Sequence, residues 1–153
     1  MTTPQSTSTA ANGDARVIAG TLLAAIAASS VVNAAIALLG RAAGANDDFG
    51  PLRASGYVFF TAVGVLVGAA GWAIVRNRSR DPRVLLARLV PIVVVVSFIP
   101  DLALLVSDYQ PRANTAGVVA LLAMHVAVTL IAVMAYRRVL PLATLPDRLP
   151  KRP

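Results

Sequence analysis

Polar residues gather in a few short intervals along this chain, and between them run four largely apolar stretches at 17–39, 57–75, 84–106 and 115–136. Each has about the 17–25 residues that a helix needs to cross hydrocarbon. Spans of this kind are helical because a bilayer offers no water to satisfy backbone N–H and C=O groups. The pattern therefore predicts an all-α fold, a membrane-embedded four-helix bundle occupying 17–139 and crossing four times. Residues 1–16, rich in Thr, Ser, Ala, Asn and Gly, read as a flexible N-terminal tail. Residues 140–153 read as a Pro/Arg-rich tail, since Pro141, Pro146 and Pro150 oppose a continuing helix. A secretory signal would open on basic residues and carry an apolar core of only ~7–15 residues. Here no basic residue precedes Arg16 and the first span is longer than that, so the span is expected to stay.

Composition sharpens this class. Hydrophobic residues make up 57% of the 153 positions and charged ones 14%, against roughly 45–50% and about 25% in soluble domains. The absence of cysteine excludes disulfides and thiolate metal sites. A net charge of +7 would suggest nucleic acid in a soluble protein; here topology accounts for it. Arg16, Arg76, Arg78, Arg80, Arg83, Arg88, Arg137, Arg138, Arg148, Lys151 and Arg152 would all lie at one face. The opposite loops hold Arg41, Arg53 and Arg112, balanced by Asp47, Asp48 and Asp108. The positive-inside rule then places both termini in the cytoplasm, with the chain expected in the plasma membrane. The expected partner is the lipid bilayer, with anionic headgroups at the cytoplasmic face. No nucleic-acid partner is expected.

A weak internal repeat is visible. Ser29 and Asn33 in the first span share their spacing with Ser97 and Asp101 in the third, and Pro51–Gly56 echoes Pro111–Gly117. Continuing that register aligns Gly64 with His125 and Arg76 with Arg137. Two parallel two-helix repeats and chance similarity between Ala/Val-rich helices both explain it.

The polar residues of the spans converge in depth. Asp101 lies about one and a half turns below the outer end of the third span and Ser97 one turn deeper. His125 comes to about the level of Ser97, and Asn33 and Thr61 to about that of Asp101. Ser29, Asn33, Thr61, Ser97, Asp101 and His125 would thus form one cluster in the outer half. Two prolines, Pro91 and Pro100, interrupt the third span's hydrogen-bond ladder as helix-kink positions, and Pro100 frees the Val96 carbonyl beside the Asp. Three readings of the cluster compete. In one, the polar groups merely tie helices together at ~0.6–2 kcal/mol per contact. In the second, they form a small-ligand or proton site, as intramembrane ionisable groups often do. A metal is the third, and one His with one Asp falls short of a closed tetrahedral set; no metal and no cofactor is expected.

Gly64, Gly68 and Gly71 give the second span a helix-packing face, usable inside the bundle or in a homodimer or larger membrane complex. Trp72, Tyr136, Tyr57 and Tyr109 fall near span ends, where amphipathic rings favour the interface. No phosphate loop, nucleophile elbow or paired acids appear, so an enzyme is not the expectation. The chain reads as a small-ligand or proton-handling membrane protein, or as an accessory or scaffold protein.

The segments Arg88-Leu89-Val90-Pro91, Ser97-Phe98-Ile99-Pro100-Asp101-Leu102 and Met124-His125-Val126 resemble an uncharacterised family of four-span membrane proteins common in actinobacteria. The resemblance covers roughly the whole membrane region and implies topology without an activity. Four-span multidrug exporters match in size but carry an essential Glu in the first span. This chain has no Glu and only Asn33 there.

Overall fold

A computed structural model describes residues 7–107, 110 and 112–142. They form helices α1 (Thr7–Ala42), α2 (Ala54–Arg78), α3 (Pro82–Ala103) and α4 (Thr115–Val139), with a 3-10 turn at Gly50–Leu52 before α2. All four helices are long and apolar enough to cross a membrane. The fold is an all-α four-helix bundle. Tyr109, Asp108 and the Pro/Arg-rich tail beyond Leu142 fall outside the described residues.

The helices overrun their apolar spans at several ends. α1 begins at Thr7, so the stretch expected as a tail joins the helix from that residue on. Arg76, Arg78, Arg137 and Arg138 occupy the last turns of α2 and α4, where cations suit the helix dipole. α3 stops earlier than its apolar run. Leu104, Leu105 and Val106 each bond the carbonyl three residues back, a tightened turn just past Pro100. Both Pro91 and Pro100 lie inside α3.

Local chemistry explains the ends. At the start of α3 the Asp81 side chain accepts from Val84 N–H and Pro82 takes the first helical turn. At α4 the Asn114 side chain accepts from Gly117 N–H at 2.9 Å and donates to the Gly44 carbonyl at 2.7 Å, so one residue caps the helix and ties the α3–α4 loop to the α1–α2 loop. α1 closes with a Schellman motif: Ala45 N–H bonds Gly40 O, Gly44 N–H bonds Arg41 O, and Gly44 takes the left-handed φ of 96°.

α1 packs most extensively on α4 and less on α2, α3 rests on α4 and α2, and α2 also touches α4. The α1–α4 and α2–α3 interfaces, which a two-fold repeat would make equivalent, differ greatly in extent. At one end of the bundle the loop after α1 folds back, burying Phe49 and Leu52 completely among Ala37, Ala120, Leu121 and Met124. A Cβ on Gly117 would stand only 3.0 Å from the Phe49 ring, so the ring needs that glycine. Outside this plug, Asp48 pairs with Arg53 at 3.1 Å and with Arg112 at 2.6 Å, while Arg41 reaches Asp47 at 3.6 Å and the Leu52 carbonyl at 2.8 Å.

The other end is built on aromatic residues. Trp72 and Tyr136 pack together with Val65, Ala69, Leu86 and Ala132. Both rings are buried inside the bundle, which differs from their expected place at the lipid interface. Each polar tip finds a carbonyl: Trp72 Nε1 donates to Leu140 O at 3.1 Å and Tyr136 Oη to Val65 O at 2.5 Å. A buried ring of this kind needs such a partner. Gly68 makes room for it, since a Cβ there would meet Tyr136 Oη at 2.6 Å. At Gly64 and Gly71 a Cβ would meet nothing within 4 Å, so within the bundle Gly68 alone of the three seats a neighbour.

Candidate functional site

The half of the bundle nearer the 43–53 loop holds the polar cluster of the spans, and four of its residues form two pairs. On α1 and α2, Asn33 Nδ2 donates to Thr61 Oγ1 at 2.9 Å. Asn33 falls on the α1 stripe that also buries Ala25, Ser29 and Ala37, at intervals of four residues that place side chains on one face. On α3 and α4, His125 Nδ1 lies 3.1 Å from Asp101 Oδ2. Among the described residues no hydrogen bond joins one pair to the other.

His125 Nδ1 also lies 3.0 Å from the carbonyl of Leu121, one turn earlier on α4. Both neighbours of this nitrogen are acceptors, so it carries the hydrogen. The N–H meets the Leu121 carbonyl, while Asp101 Oδ2 stands close to the nitrogen without bonding it. Oδ2 is accordingly a buried oxygen without a formed hydrogen bond, although it sits within ion-pair reach. The remaining ring nitrogen, Nε2, has no described partner. The two side chains differ in access: His125 is 39% exposed and Asp101 12%. The Phe98 ring meets the imidazole edge to face, with centroids 6.4 Å apart, and covers part of it.

The other expected members contribute less. Ser97 Oγ donates to Val94 O at 2.7 Å, within its own helix, and so is not engaged with Asp101. Ser29 is fully buried and its hydroxyl has no partner. The neighbouring Ser30 hydroxyl and Asn33 Oδ1 are unpaired too. Sequence reasoning passed over Ser30 because it sits one position off the Ser29–Asn33 stripe. The Leu121 carbonyl was likewise unforeseen, although a His four residues after any helical carbonyl is placed to reach it. Among the described residues no three His, Cys, Asp or Glu side chains come together as a metal would require.

The chemistry open to the Asp101–His125 pair is proton exchange. A proton gained at Nε2 makes the ring a cation beside a carboxylate, and the pair then stays close to neutral in a medium that penalises lone charges. The carboxylate, more buried than the imidazole, supplies the counter-charge.

No curated protein and no solved structure matches the chain significantly. A family model does, and its match includes both polar pairs. The chain belongs to the DUF6069 family, a family of unknown function, through residues 13–141.

Proposed function

We propose that this is a multi-pass protein of a bacterial plasma membrane, with both termini cytoplasmic, whose Asp101–His125 pair takes up and releases a proton on the outer side. The observation that carries this reading is the 3.1 Å contact between a half-exposed imidazole and a buried carboxylate. Intramembrane ionisable groups that persist in pairs mark proton or ligand paths by default. The charge bias supports the orientation: eleven of the fourteen basic residues lie toward the ends of the chain and the 76–88 region, leaving Arg41, Arg53 and Arg112 for the outer loops. The basic face suits anionic headgroups.

Infrared spectroscopy of the reconstituted protein across a pH series tests the site. One component of the pH-dependent carboxyl signal should be present in the wild type, absent in Asp101→Asn and moved in His125→Ala. Identical carboxyl difference spectra in wild type and Asp101→Asn would sink the proposal. Labelling of the loop residues from either side of sealed vesicles tests the orientation separately.

One observation favours a second reading, that of an accessory or scaffold protein. Each polar pair joins consecutive helices, as an interhelical tie would. Under that reading Asp101→Asn lowers thermal stability and leaves no pH response to lose.

A further inference from the structure

At the basic end of the bundle, α1 and α4 line a shallow open groove of about 250 Å³. Its walls are short side chains, Ala24 and Ala25 on α1 and Ala135 on α4, with Met134 and Thr21 at its sides. Elsewhere along the same interface the helices touch closely: a Cβ on Gly40 would stand 2.9 Å from the Ala120 Cβ. The recess therefore arises where alanines on both helices fail to fill the interface. It runs from Arg138 to Ile131, a rise of about 10 Å along α4. This end of the groove reaches the last turn of the helix, and the other end points toward the middle of the bilayer.

Arg138 stands at the mouth. It is exposed and forms no hydrogen bond or ion pair with a described residue. Asp14, the acid on the same face of α1 as Thr21, lies about 10 Å further along that helix. A long apolar recess in the hydrocarbon layer with one unpaired guanidinium at its headgroup end has the charge and shape of a phospholipid with an anionic head. Guanidinium groups pair with phosphate oxygens through two parallel hydrogen bonds. We infer that the α1–α4 groove holds an acyl chain of an anionic phospholipid whose phosphate is bound by Arg138. This site uses none of the residues of the Asp101–His125 pair and stands or falls independently of it.

The test is lipid retention. The full-length protein is reconstituted into vesicles of equal phosphatidylglycerol and phosphatidylcholine, extracted in mild detergent and weighed by native mass spectrometry. Wild type should retain phosphatidylglycerol in preference to phosphatidylcholine. Arg138→Gln should lower that preference roughly fivefold, the effect of one basic residue near an anionic surface. Arg137→Gln removes the same charge one residue away, outside the groove, and should leave the preference intact. Ala24→Phe, at an exposed groove position, should reduce retention of both lipids, with a melting curve confirming the fold. Equal loss in Arg137→Gln and Arg138→Gln would reduce the effect to unspecific charge and overturn the site. Unchanged retention in Ala24→Phe would overturn the groove as the seat of the chain. A lipid-free dimer that Ala24→Phe splits into monomers would replace the lipid by a second copy of the protein.

Discussion

The two polar pairs of the bundle resemble each other in position and differ in chemistry. Asn33–Thr61 joins the helices of the first hairpin, and Asp101–His125 joins those of the second. Asn33 and Asp101 stand in the same register as Ser29 and Ser97. Their partners are a helical turn out of register, since the repeat aligns His125 with Gly64 rather than with Thr61. The first pair is neutral and both members are buried. The second is ionisable, and one member remains half-exposed. A neutral buried bond can only hold its helices together. An ionisable pair can also change state. Polarity alone thus does not distinguish the two pairs; ionisability does.

Four substitutions test that contrast, in descending order of expected effect on stability. Asn33→Ala should cost about 1–2 kcal/mol, because it removes the bond and strands Thr61 in a buried site. Melting or denaturant titration in detergent should give this loss alike at acid and neutral pH. A cost that varied with pH would erase the distinction between the pairs. Thr61→Val should lose somewhat less, about 1 kcal/mol, since it keeps the volume and removes only the hydroxyl. Recovering most of that loss in the Asn33→Ala/Thr61→Val double variant would measure the coupling. Asp101→Asn should change the melting temperature by a smaller amount, below about 1 kcal/mol in free energy, because the amide keeps the shape and a partner for His125. Its clear effect should be a melting temperature that no longer depends on pH where the wild type's does. If wild type and variant trace the same pH curve, the second pair is a tie like the first. Ser97→Ala should be nearly silent, within a few tenths of a kcal/mol, as its hydroxyl already bonds the Val94 carbonyl of its own helix. An effect as large as that of Asp101→Asn would put Ser97 back in the site.

Much of the architecture was legible in the apolar pattern. A run of twenty apolar residues must satisfy its backbone within itself, so the four helices follow from the chain alone. The depth of Asp101 and His125 follows as well, because helical rise converts position into height. Rotation about each helix axis is harder to read. Every face of these helices is apolar, since lipid and neighbouring helices have similar chemistry, and no amphipathic stripe says which side turns inward. This is why Trp72 and Tyr136 could be placed near a span end but not inside the bundle, where each tip meets a carbonyl. It is also why Gly68 could not be told from Gly64 and Gly71: only the Tyr136 ring against it marks the one that packs.

The loops show the same division. Asp47, Asp48 and Asp108 could be matched in number to Arg41, Arg53 and Arg112, yet the pattern did not foretell that Asp48 would serve two arginines, one from each loop. Nor did it reveal Phe49 as a plug, because one aromatic in a polar loop has no periodicity to give it a direction. The fully buried ring depends on Gly117 across the bundle.

By itself the sequence determined that the chain spans a membrane as helices, where those helices lie, and at what depth its ionisable residues sit. Hydrophobicity and helical rise are one-dimensional properties, and a chain carries them in order. Only the tertiary structure decided that four of the six polar residues form two separate pairs, that the His125 N–H goes to Leu121 with Asp101 within ion-pair reach, and that alanines on α1 and α4 leave a groove beneath Arg138. Those outcomes depend on how four apolar cylinders are turned about their axes, and that choice is made by side-chain fit between helices far apart in sequence.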